Sequence, residues 1–169
     1  IEHCANLTTL DLSRNSITDP STLASLTVLK ILRLSSADLP DLGFLARLAR
    51  LETLWIGGNE LTDLGGLAHL ARLSELIIEG NPIRDLSPLG RLPDLRSLFY
   101  AHADPDDWSP IAQLHQLEVL RIDSTPQRDL SFLSALTNLS ELGLAHCAIE
   151  DLPDLSPLRR LRGPDRKST

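Results

Sequence analysis

The sequence lacks methionine altogether, holds two cysteines and is only 4% aromatic over its 169 residues. A core rich in sulfur or aromatic side chains is therefore excluded. The hydrophobic fraction of 42% has to pack as aliphatic side chains, mostly leucine. No apolar run approaches the ~20 residues that a membrane-spanning helix requires, so no membrane span and no secretory leader is expected. Positive charge is scarce: 16 Lys and Arg face 23 Asp and Glu, a net charge of −7. With no basic stripe to offset that balance, nucleic acid and anionic membrane are excluded as partners. Lys30 and Lys167 are the only lysines, and the surplus of Arg, Ala, Leu and Asp is of the kind a GC-rich bacterial genome encodes. No phosphate-cradling glycine loop is present. Gly57-Gly58, Gly65-Gly66 and Gly80 read as turn residues.

What the chain does have is a period. Leucine occurs at 7, 29, 51, 73, 95, 117, 139 and 161, each 22 residues after the last. Counting each of these as slot one, slot four holds Leu10, Leu32, Leu54, Leu76, Leu98, Leu120 and Leu142. Slot six holds Leu12, Leu34, Ile56, Ile78, Tyr100, Ile122 and Leu144. Alternate apolar residues in slots four and six put both on one face of a short strand. In the regular unit, Ile83, Leu86, Leu89 and Leu92 then step by three, which suits a 3₁₀ or short α-helical return over the same core. One such unit cannot bury its own apolar face and must stack on copies of itself.

Leu73, Leu76, Ile78, Asn81 and Ile83 form the pattern L-x-x-L-x-L-x-x-N-x-L, and the chain is identified from it as similar to the leucine-rich repeats. The 22-residue spacing, and Asp-Leu-Ser-Pro-Leu at 85–89, resemble internalins and the leucine-rich regulatory subunit of protein phosphatase 1. That resemblance implies an α/β right-handed solenoid, a horseshoe arc with a parallel sheet on its concave face and short 3₁₀ or α turns on its convex face. It further implies a binding surface, not an enzyme, with no cofactor. Residues 1–162 are expected to form one repeat domain with units starting at Leu7, Leu29, Leu51, Leu73, Leu95, Leu117 and Leu139, a partial repeat at each end, and a polar tail at 163–169. Ile1 and Cys4 already sit on the lattice, so residues 1–6 are either the end of a helical cap or part of a further repeat.

Departures from the pattern cluster in two repeats. Repeat five has Ala103 in the Asn slot, Pro105 in the next apolar slot and Trp108 in place of a leucine, where packing is the expected role. Repeat six has Thr125 and Gln127 in the corresponding slots, beside Pro126, whereas repeat seven reads as regular. Either these turns are merely tolerated by stacked neighbours, or the rim is shaped for a ligand. Tyr100 takes an inward slot, so its hydroxyl needs a buried partner or an exit to water.

Slot thirteen is aspartate throughout: Asp19, Asp41, Asp63, Asp85, Asp107, Asp129 and Asp151. Each directly precedes the helical return and is expected to N-cap it. A calcium site would need several oxygens converging within one unit, and each unit offers one, so no metal is expected. His102, Ser124 and His146 share slot eight, but neighbours in a column stand ~4.8 Å apart with nothing to orient them for catalysis. Cys4 and Cys147 lie about six repeats apart, roughly 30 Å at the strand spacing, too far to pair. Two thiols that cannot join favour a reducing, cytoplasmic location, the alternative being an extracellular or cell-surface one.

Function is carried by slot five, which lies between two inward residues and so faces the concave side. It reads Asp11, Arg33, Trp55, Ile77, Phe99, Arg121, Gly143. Trp55, Ile77 and Phe99 form an apolar row bracketed by Arg33 and Arg121, with Glu75 and Glu79 flanking Ile77. Such a patch with a charged border marks a partner site, and Trp and Arg are favoured hot-spot types. A protein or peptide recognition module of a larger protein is therefore expected, binding on the concave face. The alternative is a structural spacer whose concave face packs on its own parent chain or on a copy of itself.

Overall fold

A computed structural model describes residues 4, 6–102, 104–126 and 129–162. Seven three-residue strands run parallel in sequence order in one sheet: β1 (Thr9–Asp11), β2 (Ile31–Arg33), β3 (Thr53–Trp55), β4 (Glu75–Ile77), β5 (Ser97–Phe99), β6 (Val119–Arg121) and β7 (Glu141–Gly143). Every neighbouring pair is in register at one repeat, Leu10 opposite Leu32, Leu32 opposite Leu54, and so on to Leu120 opposite Leu142. The sheet lines the concave face of a solenoid, and the helical returns lie behind it. Five strands' worth of slot-four and slot-six residues, from Leu32 to Ile122, are wholly buried. At the two ends Leu10, Leu12, Leu142 and Leu144 are only partly covered.

The returns are 3₁₀ at Ser21–Ser25, Gly43–Arg47, Gly65–Leu67, Ser87–Arg91 and Ser131–Ala135, and α-helical at Ser109–Ala112. The three-residue spacing of the leucines explains the tighter helix, since i and i+3 eclipse in a 3₁₀ turn.

The aspartate column acts at the helix start, one position earlier than expected. The residue before each 3₁₀ turn is Pro20, Leu42, Leu64, Leu86 or Leu130, and none caps through its side chain. The aspartate one further back accepts the first free amide instead: Ser21, Gly43, Gly65, Ser87, Ser109 and Ser131 each donate N–H to it at 2.7–2.9 Å. In repeat seven slot fifteen is Pro153, which has no N–H. Asp154 takes over there, accepting from Ser156 at 2.8 Å. That repeat is consequently not regular: no helical turn is formed, and Leu152 in slot fourteen is 66% exposed.

These bonds hold the carboxyls of Asp19, Asp85, Asp107, Asp129 and Asp154 below the ordinary value of 3.8, chiefly through the serine two residues on. A depressed folded-state pKa stabilises the fold above the unfolded value and loses that stabilisation as pH falls through the folded one. The urea midpoint is therefore expected to hold steady down to about pH 4 and to fall continuously below it. A midpoint unchanged between pH 4 and pH 2 would contradict this.

Inside the bend after each strand, Asn59 and Asn81 are buried and fully bonded. Asn59 Oδ1 accepts the amides of Ala37 and Leu39 in the repeat before it, and Asn81 Oδ1 those of Asn59 and Leu61. Thr125 and Cys147 fill the same slot further on, each donating to the carbonyl of Ile122. Ala103, Gln127 and the tail at 163–169 lie outside the described residues. Cys147 is buried and Cys4 exposed, and neither is in a disulfide.

Slot eight carries a feature with no residue signature. Its members turn with φ of 52–66° whether they are Gly58 and Gly80 or Arg14, Ser36, His102, Ser124 and His146. Only glycine adopts that region without cost. His102, Ser124 and His146 are thus set on the rim by backbone geometry, and they are turn residues.

Candidate functional site: the concave sheet

With slots four and six buried, slots three, five and seven of each strand face out from the sheet. Trp55 stands opposite Ile77, and Ile77 opposite Phe99. At the ~4.8 Å spacing of parallel strands the three side chains make one row. All three are half-buried, not freely exposed as the sequence alone suggests.

Trp55 is fixed from both sides. The Arg33 guanidinium lies over its ring at 4.3 Å from the centroid, and its indole Nε1–H donates to Glu75 Oε1 at 2.6 Å. Arg33 itself is half-buried, and its Nε finds no acceptor among the described residues. Residues from β2, β3 and β4 are thereby joined into one rigid unit. Trp55 therefore has contacts of its own within the sheet. A cation–π contact and a charge-assisted hydrogen bond together bring the stability cost of Trp55→Ala to about 1–2 kcal/mol, above the ~0.5 kcal/mol of a bare surface site.

Arg121 is likewise engaged and is not a free border charge. Its Nε and Nη2 both donate to Glu141 Oε1, at 3.0 and 2.8 Å. Gly143 makes room for this, because a Cβ there would meet Arg121 Cγ at 2.9 Å. Gly57 plays the same part for Glu79, whose Cγ lies 3.2 Å from where a Cβ would stand. Glu79 folds over that glycine, and its carboxylate has no partner among the described residues. The role of these two glycines was missed from sequence, although a glycine in an outward strand slot beside a long side chain is the signal that could have shown it.

On the rim, Tyr100 reaches inward and donates its hydroxyl to the carbonyl of Ile83. Burial, with Asp104 and Asp106 nearby, pushes that hydroxyl's pKa well up, so it stays a donor. Trp108 packs, as its leucine slot implies, edge-on to Tyr100 at 5.9 Å and stacked on Phe132 at 5.1 Å. Pro82, Ile83, Arg84, His102, Asp104, Ser124 and Pro126 line an open recess of about 470 Å³ above this cluster. Among the described residues no three His, Cys, Asp or Glu side chains converge as a metal site would need. No helix among them is long and apolar enough to cross a membrane.

This geometry has relatives. Residues 49–91 match the family model described as leucine-rich repeats (2 copies), and residues 3–21 match a single leucine-rich repeat. Internalin C2 of Listeria monocytogenes is 35% identical, superposes with a TM-score of 0.87, and the match covers 93% of this chain and 70% of that one. The chain belongs to the leucine-rich-repeat family. An internalin F structure from the same organism is 28% identical with a TM-score of 0.75, over 93% of this chain and 53% of its own. The leucine-rich-repeat protein LIC12759 of Leptospira interrogans shares the fold, with 24% identity, a TM-score of 0.82 and coverage of 94% and 42%. No curated protein matches the chain. Leucine-rich repeats are a common protein-interaction module, and this one carries its outward-facing chemistry on the concave sheet.

Proposed function

We propose that the concave sheet binds a protein or peptide, with Trp55, Ile77 and Phe99 at its centre, Glu75 and Glu79 beside them, and Arg33 and Arg121 at the edges. The observation that carries this reading is the clamped tryptophan. Arg33 and Glu75 fix the indole before any partner arrives, and a side chain already immobilised loses little further entropy on binding. An apolar row that is preorganised and still open to solvent is suited to a partner's side chains. Two thiols outside any disulfide favour a reducing compartment for that encounter.

A photo-crosslinking side chain placed at Phe99 tests the reading in cells. Capture of a separate protein from position 99, and none from Ala46 on the opposite side, is the expected outcome. Capture of the parent chain alone would replace recognition with a spacer role. With a partner in hand, Phe99→Ala is the cleaner probe, since among the described residues no ring contact of its side chain ties it to the sheet as Trp55 is tied. It should weaken binding by at least ~2 kcal/mol, the hot-spot threshold.

A further inference from the structure

The charge on this face points to the chemistry of its partner. The outward strand positions carry five carboxylates, Asp11, Glu75, Glu79, Asp123 and Glu141, against two guanidiniums, Arg33 and Arg121. Both guanidiniums are already used within the sheet: Arg33 lies on Trp55 beside Asp11, and Arg121 is held by Glu141. Asp123 in turn accepts the amide of Ala145 at 2.7 Å. What is left toward solvent is negative and sits at the centre. Glu79 is unpaired among the described residues, and Glu75 satisfies one indole N–H with a carboxylate that has lone pairs to spare. The two carboxylates are two positions either side of Ile77, on the same face of β4 and its extension, roughly 13 Å apart at the Cα atoms.

Resting on the concave-face reading above, we infer that the bound segment presents a Lys or Arg side chain beside a large apolar one. The apolar group seats on Ile77 and Phe99, and the cation is drawn to Glu79 and the free lone pairs of Glu75. A carboxylate on a partly apolar surface costs energy when covered unless a cation meets it. A neutral or acidic segment would leave Glu79 covered and unpaired. Electrostatic attraction of this kind sets specificity and on-rate, and it fades with salt.

Random peptides displayed on phage, selected on the unmodified protein at low salt, test this. Clones that lose binding on Phe99→Ala report the concave site. Among them the sequences should be enriched in Lys or Arg within a few residues of an aromatic or aliphatic side chain. Their affinity should fall roughly tenfold or more on Glu79→Lys and stay within about twofold on Asp94→Lys, an equal charge change on an exposed residue outside the sheet. Phe99-dependent clones that are acidic or uncharged, or that ignore Glu79→Lys, would overturn the partner chemistry and leave the binding face intact. Equal losses on Asp94→Lys and Glu79→Lys would overturn it too, by showing only a response to net charge. If no clone depends on Phe99, the concave-face reading itself fails.

Discussion

Truncating Trp108 to alanine should lower stability by about 3–5 kcal/mol, the range for a buried tryptophan cut to a methyl group. The indole occupies a leucine slot with 8% of its surface exposed. It stacks on Phe132 from the next repeat and meets Tyr100 of its own repeat edge-on. Its loss opens a cavity against two rings that cannot collapse into it, because Tyr100 is held by Ile83 and Phe132 by its own helical turn. Contacts in a solenoid are made between neighbouring repeats, so the damage should stay local. Amide exchange should speed up across residues 97–136 and change little across 29–78. Trp108→Leu restores the repeat's own consensus and is expected to recover only part of the loss. A Trp108→Leu protein as stable as the original would show that the rings are not fitted to one another.

Asn81→Ala should cost a comparable ~3–5 kcal/mol, for polar reasons and not through lost volume. The side chain is 1% exposed. Its Oδ1 accepts the amides of Asn59 and Leu61, and its Nδ2 donates to the carbonyls of Ile56 and Ile78, all at 3.0 Å. Alanine leaves three backbone groups buried without partners, the amides of Asn59 and Leu61 and the carbonyl of Ile78, at about 1–3 kcal/mol each before water relieves some of them; the Ile56 carbonyl keeps Asn59 Nδ2. Asn81→Asp separates the two halves of the role. It keeps the acceptor, loses both donors and buries a charge, so it should be as damaging as alanine at neutral pH. Its deficit should shrink as pH falls, because protonation removes the charge and restores one donor. A loss of under ~1 kcal/mol for Asn81→Ala in urea unfolding would mean that water fills the site without penalty.

Much of this architecture can be read from leucine spacing, since strand and return follow directly from alternate and every-third apolar positions. Where the reading fell short, an unrepeated local partner decided the outcome. The outward direction of Trp55 is dictated by Leu54 and Ile56, but its clamp depends on Arg33 and Glu75 lying one repeat away on either side. Spacing cannot show whether long side chains lean together. Repeat seven looks regular by its leucines, yet Pro153 removes the amide that Asp151 would have bonded, and Leu152 turns out to solvent. The left-handed bend at slot eight is invisible because arginine, serine and histidine occupy it as well as glycine. Tyr100 could be read as needing a partner; that the partner is the carbonyl of Ile83 required the fold.

The constant register between strands bears on how this chain folds and how it can change length. Leu10 meets Leu32, Leu54 meets Leu76, Leu120 meets Leu142, always one repeat on. Every ladder bond therefore closes a loop of the same short length, and the entropy lost at each closure does not grow along the array. Mean sequence separation relative to chain length falls as repeats are added, so a longer array need not be a slower folder. Once two adjacent repeats have paired, each further one docks on a ready-made edge. Duplication or loss of a whole unit keeps every remaining register intact, and it slides a partner-facing row such as Trp55, Ile77 and Phe99 along the arc without rebuilding it.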